Sequence, residues 1–193
     1  MALVLNDDQK MLQEAAHGFV SEQAPVSAFR NLRDNNGDPA GFSQDLWHEM
    51  AQMGWAGIVV PEEFGGSGFD MVGAGLIAEE MGKQLTASPF LSTAIMAANA
   101  LTRFGSEAQK AEHLPSLSTG ERLFALAVDE SSKHGPAKTA MSAVRSGNGF
   151  KLNGKKTFVA DGHVADQLII ASRTSGDAGE ETGITLFLVD AKA

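Results

Sequence analysis

As far as Gly120 the apolar positions of the chain recur at the spacing of one helix face, and beyond it the period falls from 3.6 to 2. Asn6 is placed to cap a helix whose Met11, Leu12, Ala15, Ala16, Phe19 and Val20 form one apolar stripe. A short second helix is expected over Val26 to Arg33, and Asp34 to Pro39 reads as a loop. Ser43 caps a helix that turns Leu46, Trp47, Met50 and Met53 inward, and Gly54 stops it. Trp55 to Val60 is a short apolar run expected to be extended and ended by Pro61. After the glycine-rich stretch Glu62 to Gly68, Asp70 caps a helix to Lys83. Ser88 and Pro89 open the next, with proline at its first position, and it runs to Phe104 and Gly105. Ser106 and Gln109 make a capping box for one more.

Beyond Gly120 the strands expected are Leu123–Val128, Lys138–Arg145, Phe150–Leu152, Lys155–Ala160, Gln167–Ser172 and Ile184–Val189. Ser146–Gly149 and Asn153–Gly154 are hairpin signals between them. The fold class predicted is α+β, an all-α domain over residues 1–120 followed by an antiparallel β meander over 121–193. The apolar last strand needs neighbours on both edges, because an exposed apolar edge invites aggregation. The β domain is therefore expected to be incomplete within these residues.

Composition narrows the function classes. At 193 residues, 43% hydrophobic and 20% charged, the chain has the make-up of an ordinary globular protein. It has no cysteine, which excludes disulfides, thiolate metal sites and cysteine nucleophiles. No apolar run approaches the roughly 20 residues of a membrane span, and Met1 to Lys10 is too polar for a secretory signal. A cytoplasmic protein is expected. The net charge of −9 is uneven: residues 1–120 carry the whole excess and residues 121–193 are neutral. That balance argues against nucleic acid as a partner, since phosphates demand a basic face.

Candidate chemistry is sparse. The Pro61–Gly68 loop offers paired carboxylates in Glu62 and Glu63, but it matches neither a phosphate loop nor a dinucleotide fingerprint, and its composition favours a plain connection. None of His17, His48, His113, His134 and His163 is spaced for metal, and no metal is expected. His17 and His113 read as solvated or cap-bonded. The nucleophile elbow of serine hydrolases is absent. Thr93, Asn99 and Thr102 sit among small and apolar residues, where they line either a tunnel for an acyl chain or a packed helix core, the second favoured by periodicity. Lys151, Lys155 and Lys156 surround a turn and suit either ligand phosphates or plain solvation.

Several ordered segments resemble the acyl-CoA dehydrogenase family. Gly54-Trp55-Ala56-Gly57-Ile58-Val59-Val60-Pro61-Glu62-Glu63-Phe64-Gly65-Gly66-Ser67-Gly68 is similar to that family's "GW.gi.vPeeyGGsG". Ala78-Glu79-Glu80-Met81-Gly82 is similar to its "EElg", and Phe150-Lys151-Leu152-Asn153-Gly154-Lys155-Lys156 to its "y.lnGkK" hairpin. The resemblance implies N-terminal helices, a barrel- or sandwich-like middle β domain and a C-terminal four-helix domain. The last carries the catalytic base, so no catalytic residue is named here. It implies FAD, an acyl-CoA substrate desaturated between Cα and Cβ, an electron-accepting flavoprotein, and a homo- or hetero-oligomer. The family's "TEPgaGSD" falls on Val128-Asp129-Glu130-Ser131-Ser132-Lys133-His134-Gly135, where its hydroxyls are missing, and its "W-I-T" on Phe158-Val159-Ala160. The implied flavin contacts are therefore Leu126 and Val128, chiefly by main chain, with Phe158 as an aromatic cover beside Val159 and Ala160. Phe90, Leu91, Ser131 and His134 are the implied substrate contacts. The lost hydroxyls also admit a non-catalytic partner subunit of a heteromeric dehydrogenase, and the scaffold admits a flavin oxidase or monooxygenase.

Overall fold

Four helix starts are set by one local device, a short polar side chain that accepts from the free amides of the first turn. Asn6 and Ser106 each close a capping box, with Gln9 and Gln109. Ser43 accepts from Leu46, and Asp70 from Val72 and Gly73. In the computed structural model, which describes residues 4–34 and 38–193, these caps open α1 (Asp7–Gln23), α3 (Gln44–Gln52), α4 (Met71–Gln84) and α6 (Glu107–Ser118). With α2 (Val26–Asp34) and α5 (Ala98–Phe104) they form the unit Met1–Glu121, and Arg122–Ala193 is a second compact unit. The middle of the loop expected over Asp34–Pro39 lies outside the described residues.

In the helical unit α1 packs along α4. Trp47, Met50, Trp55, Ile58, Ile77, Leu114 and Leu117 fill the core. The Phe19 ring meets Trp55 edge-on at 5.1 Å, and Trp47 Nε1 donates to the Gly120 carbonyl at 3.1 Å. The apolar stripes are narrower than the sequence suggests. Met11 is 64% exposed and Met53 42%, because neither faces a neighbouring helix.

Two elements differ from expectation. Trp55–Val60 is not extended. Gly54 takes φ +80°, and turns follow in which Ile58 donates to Trp55 and Val60 to Gly57. Ser67 and Gly68 then donate back to Gly57 and Val60, so the glycine-rich segment folds onto the run it follows. The helix after Pro89 begins as a π-helix over Phe90–Ala97 before α5, with Pro89 outside it as the cap. Such wide turns are frequent at functional sites.

The second unit is a sheet of five strands: β1 (Phe124–Ala127), β2 (Ser142–Ser146), β3 (Gly149–Asn153), β4 (Gln167–Arg173) and β5 (Ile184–Asp190). Its topology corrects the antiparallel meander. β4 pairs antiparallel with β5 along its length, parallel with β1 over Gln167–Ile170, and parallel with β2 at Arg173 only. A strand has two edges, so β5 takes one, and β1 and β2 share the other. The β2–β3 hairpin turns at Gly147–Asn148, as its sequence signals. Phe150 of β3 meets Phe187 of β5 at 5.0 Å although the two strands do not pair, so the sheet curls without closing. Lys155–Ala160 forms no strand. Phe158 and Asp161 take φ +53° and +54°, which no ladder accommodates. Lys138 ends a short 3-10 turn rather than starting a strand.

Candidate functional site

Arg173, at the end of β4, is 7% exposed and is bonded by its guanidinium to main-chain carbonyls. Its Nε donates to Thr139, its Nη1 to Ser175 and Thr182, and its Nη2 to Ala137 and Glu180, five carbonyls for the five guanidinium N–H groups. That fork ties the 136–139 turn and the 175–183 loop to the sheet.

The segment leaving β1 is held by two carboxylates of its own. Glu130 accepts from the amides of Ala140 and Met141 at 2.9 Å and from Lys156 Nζ at 2.7 Å. Lys156 also donates to the Val128 carbonyl at 2.9 Å. Burial pushes the Glu130 carboxyl up, but Lys156 and the two amides outweigh it and hold it below the ordinary value. Asp129 accepts from the Gly135 amide and meets His134 Nδ1 at 3.0 Å. The His134 contact outweighs burial and keeps this carboxyl low as well. Lys156 is thus an internal counter-ion, its side chain 6% exposed, and not one of three solvated lysines.

Around Lys156 lies a cavity of about 440 Å³, lined otherwise by Ala127, Met141, Val159, Gly162, His163, Leu168 and Ile170. Of the residues implied for flavin, Val159 lines it and Phe158 stands 79% exposed, its ring free to cover a flat ligand. The Leu123 carbonyl accepts from Gln167 on β4. Because successive residues of a strand point to opposite edges, the Leu126 main chain faces the edge of β1 that β4 does not cover. Among the described residues the amides of Phe158, Val159 and Ala160 make no hydrogen bond, while the Val159 carbonyl accepts from Gly162. An apolar wall, an aromatic face and free main-chain donors fit a flavin ring. No hydroxyl reinforces them, since Val128 and Ala160 carry none. Ser131 and His134 lie on the exposed turn beyond, where the Ser131 hydroxyl donates to the Lys133 carbonyl.

In the helical unit, Phe90 and Leu91 line a cavity of about 280 Å³ with Ala78, Met81, Leu85 and Ile95. Phe90 is 2% exposed and forms its floor, whereas Leu91 is 56% exposed at its rim. Thr93 is buried in the core, and Asn99 Nδ2 donates to the Ile95 carbonyl at 2.8 Å, so these side chains serve packing. Glu62 and Glu63 lie on the self-bonded 3-10 turn. Glu80, 3% exposed, meets His17 Nδ1 at 3.0 Å and Lys83 Nζ at 2.7 Å, which pins α1 to α4. Lys83 and His17 together outweigh burial and hold its carboxyl low. His17 keeps a side chain 66% exposed, as expected, while its Nδ1 meets Glu80, whereas His113 is buried rather than solvated. The sequence signals neither carboxylate hub: only the fold brings His17 to Glu80 and Lys156 to Glu130.

Among the described residues no helix is long and apolar enough to cross a membrane. The profile described as acyl-CoA dehydrogenase, N-terminal domain, matches residues 6–121. The chain is 32% identical over 150 residues to acyl-CoA dehydrogenase FadE27 of Mycobacterium tuberculosis, covering 78% of this chain and 38% of that protein. It superposes with a TM-score of 0.84 and 28% identity on a chain of the ChsE4–ChsE5 complex of the same organism, covering 99% of this chain and 49% of that one. A likeness of TM-score 0.82 and 26% identity extends to the acyl-CoA dehydrogenase of Geobacillus kaustophilus, covering 98% of this chain and 50% of the other. The chain thus spans half or less of each of these proteins.

Proposed function

This chain belongs to the acyl-CoA dehydrogenase family, and from that membership we propose that it contributes the helical and β parts of an FAD-dependent enzyme that desaturates an acyl-CoA thioester between Cα and Cβ. FAD, when bound, supplies the two-electron acceptor for the β-hydride, and the protein supplies orientation and electrostatics. The observation that carries the reading is the cavity beside Lys156, with its apolar wall, the exposed Phe158 ring and the free amides of 158–160. Phe158 covers one face of the flat group, the amides meet its polar edge, and the Leu126 main chain faces it from β1. Leu91, over Phe90, walls the acyl chain. The proton at Cα is left to a base on the part of the polypeptide beyond these residues. An electron-accepting flavoprotein, an oligomer and a cytoplasmic location belong to the same proposal.

The experiment is an FAD titration of the full-length protein, followed by the visible spectrum after gel filtration. Stoichiometric retention is expected, with a loss of α,β-hydrogens from a bound acyl-CoA. A full-length protein that retains no FAD, alone or with any partner, overturns the reading. The 193-residue chain alone is expected to bind FAD weakly or not at all, since in this family the C-terminal domain supplies about half of the site; the missing hydroxyls, each worth about 1 kcal/mol, weaken binding by a further factor of roughly tenfold to a thousandfold in either form. A second reading is favoured by the absence of hydroxyls at Val128 and Ala160: a subunit that shapes the site of a heteromer without completing a flavin site itself. FAD retained only when a second subunit is co-purified is the result expected of it.

A further inference from the structure

α1 lies along α4 on a narrow apolar seam. Of its 17 residues Ala16 and Val20 are the buried ones. Gly73 of α4 lets it come close, since an added Cβ there would meet the Leu12 side chain at 3.3 Å. Charge does not favour the contact. α1 carries Asp7, Asp8, Glu14 and Glu22 against Lys10, and α4 carries Glu79 and Glu80 against Lys83. A helix held by little apolar area and opposed by like charge stands at the low-stability end of a fold and opens first.

The seam is closed at Glu80, a carboxylate 3% exposed beneath α1. Among the described residues three groups meet it. Lys83 Nζ lies 2.7 Å from Oε1, but it belongs to α4 itself and is shared with Glu79 at 3.1 Å, so it neutralises the carboxylate without joining the helices. Gln13 of α1 donates from Nε2 to Oε1 at 3.4 Å, a long bond from a neutral donor. His17 of α1 meets Oε2 with Nδ1 at 3.0 Å. Among the described residues His17 is therefore the one charged link from α1 to the buried carboxylate. The titratable groups about it are Glu80, Lys83 and Glu79 on α4 and the exposed Glu14 one turn earlier on α1. Lys83 and then His17 outweigh burial and hold the Glu80 carboxyl below its ordinary value, so it stays an anion through neutral pH. What changes there is imidazole, the side chain that loses its charge between pH 5 and 8.

We propose that His17 and Glu80 form a pH-sensitive latch that fastens α1 to α4 below neutrality and loosens it above. The protonated ring gives Glu80 an ion pair and a charge-assisted bond at once. The neutral ring keeps at most a donor on Nδ1, and no cation of α1 then offsets the acidic surplus of the two helices at this point. α4 also walls the cavity over Phe90 with Ala78, Met81 and Gly82, the residues around Glu80, so the latch acts on the helix that shapes that pocket. Nothing in the latch depends on FAD or acyl-CoA.

The test is amide exchange of α1 in the full-length protein at pH 6 and pH 8, with each rate corrected for the intrinsic effect of pH and with β4 as the internal reference. Protection of the Ala16–Val20 amides is expected to fall about threefold between the two pH values while β4 is unchanged, the difference between a charged and a neutral donor in a half-exposed pair. His17→Arg keeps its charge and is expected to hold the pH 6 protection at pH 8. His17→Gln is expected to show the lower protection at both pH values. Both variants fold, because they replace a side chain 66% exposed. Protection of α1 that ignores pH in the parent, or that keeps its pH dependence in His17→Gln, overturns the latch. A fall shared in full by β4 overturns it too, because the pH dependence then belongs to global unfolding. A His17→Arg protein that loosens at pH 8 as the parent does also overturns it, since a charge at this position then fastens nothing.

Discussion

Arg173 shows what a single residue contributes that no local pattern announces. In the sequence it is the polar end of an apolar strand; in the fold its guanidinium donates to five carbonyls of two connections that otherwise join, among the described residues, only through the Gly179 amide on the Ala137 carbonyl. Arg173→Met leaves the buried Thr139 carbonyl without its donor and strips a donor from four part-buried ones, of which Ala137 keeps the Gly179 amide. With each such group costing about 1–3 kcal/mol and water rescuing some, a loss of at least about 3 kcal/mol is expected. For a chain of this size that is a fall of roughly 6–12 °C in melting temperature, read by calorimetry. Arg173→Lys recovers only part, because an ammonium has three donors and no planar fork. Gly66 is the second such residue. Its family-like motif is legible, but the reason for the glycine is not: a Cβ there would run into the Val60 carbonyl, and backbone cannot move aside cheaply. Gly66→Ala is expected to cost about 2 kcal/mol or more in urea denaturation, and a neutral result would show that the 57–68 loop does not need its close approach.

At the scale of elements, legibility follows the range of the interaction. The caps at Asn6, Ser43, Asp70 and Ser106 were readable because partner and amide lie within three residues of each other. Asn6→Ala is expected to remove about 1 kcal/mol of stability and to fray the first turn of α1, visible as faster amide exchange there and unchanged exchange in β4. Trp55–Val60 departs from the extended run its pattern suggests, because an apolar run of six does not distinguish a strand from a buried turn; the hydrogen bonds that decide it come from Ser67 and Gly68. The sheet departs from a meander for the same reason. Antiparallel neighbours are the default reading of short loops, yet the parallel pairing of β1 with β4 joins segments some forty residues apart, and nothing local encodes it. Of the site, the aromatic Phe158 and the apolar β4 were legible from pattern and resemblance. The role of Lys156 was not, because it depends on the approach of Glu130 across 26 positions.

For the molecule as a whole, charge sets how the two units answer acid. Residues 1–121 hold 6 basic and 16 acidic side chains, and residues 122–193 hold 9 and 8, so the units carry about −10 and +1 at neutral pH. Glu80 in the first unit, and Asp129 and Glu130 in the second, all have carboxyls held below their ordinary values. The unfolded chain takes up protons on these groups first, near pH 4, so the stability they contribute is complete above that pH and is lost as pH falls through their lower folded values. In the helical unit a second effect opposes this, because protonating its other carboxylates relieves self-repulsion before the paired one titrates. The β unit has no such relief. Between pH 6 and 3 the β unit is therefore expected to weaken earlier than the helical unit. Both tryptophans, Trp47 and Trp55, are buried in the helical unit, so their fluorescence follows that unit alone. Amide exchange in β4 follows the other. Exchange in β4 rising at a higher pH than the fluorescence change is the expected outcome, and Lys156→Met, which removes the counter-ion of Glu130, should bring the β4 transition to higher pH while leaving the fluorescence midpoint where it was. Coincident transitions in the parent, or a shift of both in the variant, would mean that the two units share one cooperative equilibrium and that Glu130 does not set the acid limit of its own.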